Sequence, residues 1–206
     1  VSNDHFLPSF FFFFLPSSFS VLLTWHWVPL VMPRNEIKYP LNLCICENCK
    51  HLQIDEIISP ELLFRNYVYE TGVSKSILGF ADDLCKKVLS CHDAYSHQGQ
   101  PAVLEIASND GTVLSVFQNN GCKVLGIDPA ENIVKIANSR GVKSLASFFN
   151  LQNANKILEK YGKWNICLAR NVLAHVSELH SLVNGIKVVL ADDGFAVVEV
   201  PHIKTM

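Results

Sequence analysis

The chain has 206 residues, of which 49% are hydrophobic, with 17 basic and 19 acidic side chains and a formal net charge of −2. This length suits one ordinary domain with a small appendage. Near-neutral charge offers no electrostatic attraction to nucleic acid or to an anionic membrane surface, so neither partner is expected. The 7 cysteines form no regular framework, which favours free thiols in a reducing, cytoplasmic location.

Residues 1–37 form an atypical apolar segment. It has no Asp, Glu, Lys or Arg between Asp4 and Arg34, and it contains an unbroken phenylalanine run at 10–14. Its length would span a bilayer, yet interior prolines break helices, and the basic start and cleavage site of a signal peptide are missing. A membrane segment and a translated polypyrimidine tract that is not native protein both fit the composition. The membrane interpretation is the weaker of the two.

Residues 38–58 predict a β-hairpin, because apolar and polar residues alternate on both sides of a short turn. Cys46 and Cys49 lie in that turn, and their spacing allows both thiolates to reach one Zn²⁺. A closed structural zinc site needs four ligands. Cys44 and His51 are the nearest further candidates, so we expect a half-site with incomplete zinc occupancy.

Two helices are predicted to link the hairpin to the rest of the chain. Ser59 and Pro60 mark the start of the first, with Ser as N-cap and Pro at the first helical position. Helical spacing of apolar residues predicts the second at about 73–90. The polar stretch 92–100 then predicts a linker, which divides a small amino-terminal domain (38–92) from a larger one (101–206).

After Pro101 the pattern alternates between strand and helix. Strands are predicted near 102–107, 123–127, 142–145, 165–169 and 195–200. Helices are predicted near 112–120, 130–139, 151–161 and 178–190. Ser177 is the expected N-cap of the last helix, and residues 192–194 the turn after it. Single helices between strands predict an α/β fold with a Rossmann-like parallel sheet and right-handed crossovers.

The first of these strands ends in an acidic turn that opens a helix. The turn offers Glu105, Ala107, Ser108, Asn109 and Gly111 in place of the Gly-x-Gly-x-x-Gly of dinucleotide enzymes. A pyrophosphate prefers glycine N–H groups and a helix N-terminus. A cationic ligand without phosphate, such as S-adenosylmethionine, fits an acidic turn better. Gly111 alone could instead be a permissive backbone position, and Asn109 a simple turn residue.

Asp128 ends the second strand, at the edge where Rossmann-like sheets bind nucleosides. We therefore expect its carboxylate to accept both ribose hydroxyls. The alternative is a helix cap, because Pro129 and Glu131 follow in the positions of a capping box. Asn132 is either a further ligand contact or a solvated helix residue.

Three more candidates follow later strands. Asn171 and His175 come after the fourth strand, where a transferred group would emerge. Histidine is suited to proton transfer near neutral pH, although a structural histidine is an equal alternative. Phe148 follows the third strand and could stack on adenine or fill the core.

Several motifs in order resemble those of the sugar C-methyltransferase family, which methylates carbon 3 of nucleotide-linked 4-keto-deoxysugars. In the larger domain the resembling segments are 105–111, 126–132, 171–176 and 199–202. In the smaller domain, segments 39–43, 46–49 and 61–69 resemble the family's zinc-binding domain and its link to the catalytic domain. The likeness extends over about residues 38–206.

The resemblance implies a methyltransferase that uses S-adenosylmethionine, binds Zn²⁺ and acts on a nucleotide-linked keto sugar, with His175 and Tyr69 as catalytic candidates. The family sheet has seven strands, and its Tyr-His-Glu-His motif falls beyond Met206. We therefore expect a sheet that is incomplete after the fifth strand. An inactive fragment or pseudoenzyme that binds only the donor, and a nicotinamide-binding Rossmann domain, are the alternatives.

Overall fold

The computed structural model describes residues 39–73, 75–95 and 99–200. Among the sequence predictions, the apolar segment 1–37, the middle of the linker at 96–98 and the end of the 199–202 motif lie outside the described residues. Within the described ranges, no helix combines the length and the apolar character needed to cross a membrane.

The predicted hairpin is confirmed. Strands β1 (Leu43–Ile45) and β2 (Leu52–Ile54) pair antiparallel, with Leu43 opposite Ile54. The Cys46 N–H donates a hydrogen bond of 2.8 Å to the carbonyl of His51, which closes the turn. All residues of both strands are exposed, so the hairpin is held by its ladder and turn rather than by a core of its own.

Helix α1 (Pro60–Phe64) begins with Pro60 at the first helical position, as predicted. The Ser59 side chain makes no capping hydrogen bond; the Ser59 carbonyl instead accepts the Leu62 N–H at 3.0 Å. Helix α2 (Lys75–Tyr95) runs into the stretch predicted as linker. The reason is His92, a polar residue that is only 5% exposed and so extends the buried face of the helix.

A parallel sheet forms the centre of the larger unit and confirms the predicted fold class. Its strands are β3 (Ala102–Ile106), β4 (Lys123–Asp128), β5 (Ser144–Ala146), β6 (Trp164–Arg170) and β7 (Leu190–Glu199). The helices between them are α3 (Thr112–Asn119), α4 (Glu131–Ser139), α5 (Leu151–Tyr161) and α6 (Leu179–Val189). The spatial order β5-β4-β3-β6-β7 is that of a Rossmann-like fold, in which the chain winds outward from β3 in both directions.

Strand β3 is buried at every position because it lies in the middle of this sheet. Leu104 belongs to a core formed with α5 and α6, whereas Val103 belongs to one formed with α2 and α3. The alternation follows from the two-residue period of a strand. Trp164 and Phe117 are the largest fully buried side chains, one in each core. Burial of side chains of this kind contributes about 1.5–3 kcal/mol each.

Two boundaries near the carboxyl-terminal strand differ from the prediction. Helix α6 has Glu178 as its N-cap rather than Ser177, and no side chain caps it. The turn predicted at 192–194 lies within β7, which begins directly after the helix. There the register shifts, since Trp164 faces Leu190 but Ile166 faces Phe195. The extra residues of β7 make the ladder irregular at this point, which a hydrophobic pattern does not reveal.

The three central strands end in loops that share one edge of the sheet. Three residues in these loops have left-handed backbone conformations without being glycine: Ala107 (φ 56°), Asn109 (φ 51°) and Asn171 (φ 50°). Asparagine tolerates this conformation, whereas alanine has no side-chain hydrogen bond to offset it. Strain of this kind tends to concentrate at functional sites.

Replacing Ala107 with glycine should leave the free energy of unfolding unchanged or raise it. The left-handed conformation costs an alanine about 1–2 kcal/mol, which roughly offsets the greater chain entropy of glycine. The control is Ala154→Gly in the middle of α5, which should destabilise by about 1 kcal/mol or more. Urea unfolding of both variants measures the difference, and equal destabilisation would contradict the account of Ala107.

Candidate functional site

A cleft of about 640 Å³ lies at the carboxyl ends of β3, β4 and β6. This volume is typical of a small-molecule site. The predicted site residues that line it are Tyr69, Glu105, Ala107, Ser108, Asn109, Asp128, Pro129, Phe148, Asn171 and His175. Gly111, Asn132, Cys46 and Cys49 are not among its lining residues. The sheet thus brings together residues predicted from four separate loops.

Glu105 is a carboxylic acid inside the sheet, only 2% exposed. Burial raises its pKa to about 8; the charge of Arg170 partly offsets this, while Asp128 and other acids add to it. The Glu105 Oε1 atom lies 3.7 Å from Nη1 of Arg170. The other oxygen, Oε2, is buried and has no hydrogen-bond partner among the described residues. Glu105 therefore has unused hydrogen-bonding capacity at the wall of the cleft.

Arg170 connects this carboxyl to a second one. Its Nε donates to Oε2 of Glu199 at 2.8 Å, and its guanidinium lies 4.9 Å from the ring centre of Phe80. The sequence interpretation missed Arg170 as a site residue. A signal was present: an arginine ends the strand next to β3, and a buried glutamate needs a nearby cation.

Asp128 has both carboxylate oxygens fixed by the backbone. Its Oδ2 accepts the Asn109 N–H and its Oδ1 accepts the Ala130 N–H, each at 2.9 Å. Burial raises the pKa of Asp128, and these two hydrogen bonds partly offset the effect. Helix α4 has Ala130 as its N-cap, so Asp128 orients the loop before the helix rather than capping it. Each oxygen keeps a lone pair for a ligand, such as a vicinal diol.

Two predicted donor-binding residues have structural positions. Gly111 is the N-cap of α3 with φ 75°, and a β-carbon there would lie 2.9 Å from Val142. Backbone conformation and close packing therefore both require glycine at this position. Asn132 donates from Nδ2 to the carbonyl of Tyr67 at 2.7 Å and accepts the Tyr67 N–H at 3.2 Å. It is directed at the segment before α2, not at the cleft.

Asp110 was not predicted, and it is completely buried. Its Oδ2 accepts hydrogen bonds from the Gly72 N–H at 2.9 Å and from Nη1 of Arg140 at 2.7 Å, and its Oδ1 accepts the Thr112 N–H. Burial by itself would raise the pKa of Asp110, but these hydrogen bonds outweigh it, so the pKa is lowered. Asp110 is therefore a fixed negative charge beneath Gly72.

The outer part of the cleft carries the aromatic and catalytic candidates. His175 follows β6 in a short 3-10 helix, with its ring centre 6.0 Å from that of Phe64 in an edge-on arrangement. Tyr69 is half exposed. Phe148 has the guanidinium of Arg65 5.3 Å from its ring centre, so one of its two faces is already occupied.

The cysteine turn lies away from the cleft, and both of its thiols are exposed. Hydrogen bonds from the backbone of Cys49 and Asn48 lower the pKa of Cys46, which favours the thiolate. Across the part of the chain that the structure describes, no group of three or more His, Cys, Asp or Glu side chains could hold a metal ion. The residues present therefore do not form a closed zinc site.

An acidic cleft at the carboxyl edge of a Rossmann-like parallel sheet defines a nucleoside-binding class of α/β protein. Within that class, residues 81–204 match the family model described as a methyltransferase domain, which covers more than half of the chain. The chain belongs to the methyltransferase-domain family. The expectation of a methyltransferase domain is thereby confirmed.

Two similar proteins are informative. The C-methyltransferase NovU of Streptomyces niveus is 31% identical over 168 residues, which cover 82% of this chain and 39% of NovU. The chain therefore spans about 39% of the length of that relative. The crystal structure of DesVI from Streptomyces venezuelae is 14% identical, covers 68% of this chain and 61% of that one, and has a TM-score of 0.51. This second likeness supports the fold alone.

Replacing Glu105 with glutamine should change how stability depends on pH. The pKa of Glu105 is raised from 4.5 to about 8, so folding favours the protonated acid. Its stabilising contribution is complete below about pH 4.5 and is lost as the pH rises toward 8, by about 1.4 kcal/mol for each unit of pKa difference. The free energy of unfolding of Glu105→Gln, relative to that of the unsubstituted chain, should therefore increase as the pH rises across this range.

Urea unfolding at several pH values measures this difference. Glu159→Gln, a matched change on the exposed face of α5, controls for the substitution itself. A constant difference between Glu105→Gln and the unsubstituted chain from acid to mildly alkaline pH would show that folding does not shift the pKa of Glu105.

Purified protein should contain well under one zinc ion per chain, because Cys46 and Cys49 supply only two of the four ligands that a structural site needs. Elemental analysis after dialysis against metal-free buffer measures the stoichiometry. One tightly held zinc ion per chain would contradict the prediction and would identify Cys44 or His51 as further ligands.

Proposed function

We propose that this chain is the donor-binding part of an S-adenosylmethionine-dependent C-methyltransferase whose acceptor is a nucleotide-linked 4-keto-deoxysugar. The observation that carries the proposal is the pair of buried carboxyl groups, Glu105 and Asp128, at the ends of adjacent strands in one cleft. The family match supports methyl transfer in general. The likeness to the C-methyltransferase NovU supports carbon as the methylated atom.

The polar atoms of the cleft fit this donor. S-adenosylmethionine presents a ribose diol, an ammonium group and a sulfonium, and it has no phosphate. Asp128, with both oxygens oriented by backbone N–H groups, suits the diol. Glu105 Oε2 and Ser108 Oγ are buried without partners among the described residues, so both keep hydrogen-bonding capacity for a ligand. Phe148 offers an aromatic face in the same cleft.

S-adenosylmethionine would supply an electrophilic methyl group. On the protein side, a base must take the proton from the carbon beside the acceptor's ketone. That carbon then forms its bond to the methyl group while the sulfur–methyl bond breaks. His175 and Tyr69 are the candidates for proton transfer and for contact with the acceptor, since both line the cleft on its outer side. Holding both reactants in one cleft supplies the proximity that such a transfer requires.

Ligand binding tests the donor class directly. Isothermal titration should show binding of S-adenosylmethionine and S-adenosylhomocysteine, and no binding of NAD. Binding of NAD without the other two would favour a nicotinamide-binding Rossmann domain. The acceptor is tested separately, by methyl transfer to a thymidine-diphosphate 4-keto sugar. Binding of the donor without any transfer would favour a chain that only binds the donor.

Asp128→Asn should weaken binding of S-adenosylhomocysteine by about tenfold to a hundredfold, since hydrogen bonds to a charged group are worth roughly 1.5–3 kcal/mol. The variant should also lose stability. Both oxygens accept backbone N–H groups, whereas an asparagine has only one acceptor oxygen.

The control for that loss of stability is Asn138→Ala. Asn138 hydrogen-bonds the backbone of Ser144 through both of its side-chain atoms, and it does not line the cleft. Asn138→Ala should destabilise without changing affinity. Equal affinities of the two variants for S-adenosylhomocysteine would show that Asp128 has only a structural role.

A further inference from the structure

The segment 67–73, which we name the strap, forms one wall of the cleft between α1 and α2. Tyr67, Tyr69 and Thr71 of the strap line the cleft. No residue of the strap is buried, and Val68 is 95% exposed. The strap therefore has no hydrophobic anchor of its own, and its position depends on polar contacts.

The backbone of the strap is held by three side chains of the larger unit, and Arg140 adds a contact to the Glu70 side chain. Asn132 binds the N–H and the carbonyl of Tyr67, at 3.2 and 2.7 Å. Asn109 accepts the Thr71 N–H at 2.8 Å and donates to the carbonyl of Tyr69 at 3.0 Å. The two amides thus pair with the backbone of the strap as a neighbouring strand would.

The third side chain holds the end of the strap. Asp110 accepts the Gly72 N–H at 2.9 Å, and Arg140, which binds Asp110, also reaches the Glu70 side chain at 3.4 Å. A β-carbon at Gly72 would lie 2.6 Å from Oγ1 of Thr112 and 2.9 Å from Oδ2 of Asp110. This contact is therefore possible only because residue 72 has no side chain.

Asn109 connects the strap to the ligand carboxylate. Its side chain holds the strap, while its own N–H donates to Oδ2 of Asp128 at 2.9 Å. The residue has a left-handed backbone (φ 51°). In this conformation its N–H contacts Asp128 while its side chain contacts the strap. A ligand that fixes Asp128 also fixes the residue that binds Tyr69 and Thr71.

We infer that Asn109, Asp110 and Asn132 are positioning residues, which hold the strap so that Tyr69 faces the cleft, and that a nucleoside bound to Asp128 tightens the strap through Asn109. The inference rests on the proposed function, because it takes Asp128 as the site of the donor ribose. It adds a coupling between donor binding and the wall on the acceptor side. The strap is held by hydrogen bonds and has no buried residue. Its opening is therefore a local event that a ligand can suppress.

Such a coupling is reciprocal. If S-adenosylhomocysteine stabilises the closed strap by a given factor, a chain whose strap cannot close must bind S-adenosylhomocysteine more weakly by the same factor. Two independent measurements must therefore agree: the slowing of amide exchange in the strap by the ligand, and the loss of affinity in variants with an undocked strap. A strap that only supports the fold would not produce this agreement.

The experiment measures hydrogen exchange at 67–73 by mass spectrometry, with and without S-adenosylhomocysteine, together with its affinity. In the unsubstituted chain we expect the ligand to slow exchange in the strap by about tenfold, within the usual range of couplings between sites. Gly72→Ala should exchange fast with or without the ligand and should bind it about tenfold more weakly. Gly79→Ala is the matched control, since nothing lies within 4 Å of a β-carbon there, and it should behave as the unsubstituted chain.

Asn132→Ala serves as a second variant if Gly72→Ala fails to fold, because Asn132 is exposed and alanine favours the helix. It should keep the melting temperature and lose part of the ligand-dependent protection. No binding of S-adenosylhomocysteine to the unsubstituted chain would overturn the proposed function, and the coupling with it. Binding that leaves strap exchange unchanged, or variants that bind as tightly as the unsubstituted chain, would overturn the coupling alone.

Discussion

The constraint on which the site depends is a carboxyl group inside a parallel sheet. Glu105 lies on the central strand and is shielded from water. A nearby cation or a bound proton must therefore compensate the charge of its carboxylate. Arg170 on the adjacent strand supplies part of this compensation and is shared with Glu199 on the next strand. Because burial outweighs Arg170 and raises the pKa of Glu105 to about 8, a proton supplies the rest at neutral pH. The ends of three strands are thereby held together, and the cleft opens at this point because the loops beyond them diverge.

The second constraint is the supply of backbone N–H groups. The loops after β3 and β4 leave donors that no strand or helix uses, and Asp128 takes one from each loop. Asn109 and Asp110 satisfy the backbone of the strap in the same manner. Polar side chains therefore satisfy backbone hydrogen-bonding groups between segments, as the hydrogen-bond ladder does within a sheet. As a result, the geometry of the cleft depends on Asn109 and Asp110 after β3 and on Asp128 at the end of β4.

Much of this could be predicted from sequence for a physical reason. Strand ends in a parallel sheet share an edge, so Glu105 and Asp128 must lie close together wherever their strands are correctly assigned. Side-chain contacts between residues far apart in the sequence leave no periodic pattern from which they could be predicted. Asn132 and Tyr67 are 65 residues apart, and each resembles an ordinary surface residue. The length of α2 was underestimated because His92 is polar in the sequence but buried in the fold.

The distribution of thiols has a further consequence. Cys44, Cys46 and Cys49 are exposed, whereas Cys122 and Cys167 are buried, and burial raises the pKa of Cys122 to about 11 and that of Cys167 higher still. A thiol reacts only as thiolate and only when reached by the reagent. An alkylating reagent therefore labels the hairpin at once and the sheet only when it opens. The pattern of labelled cysteines therefore shows which part of the protein has unfolded.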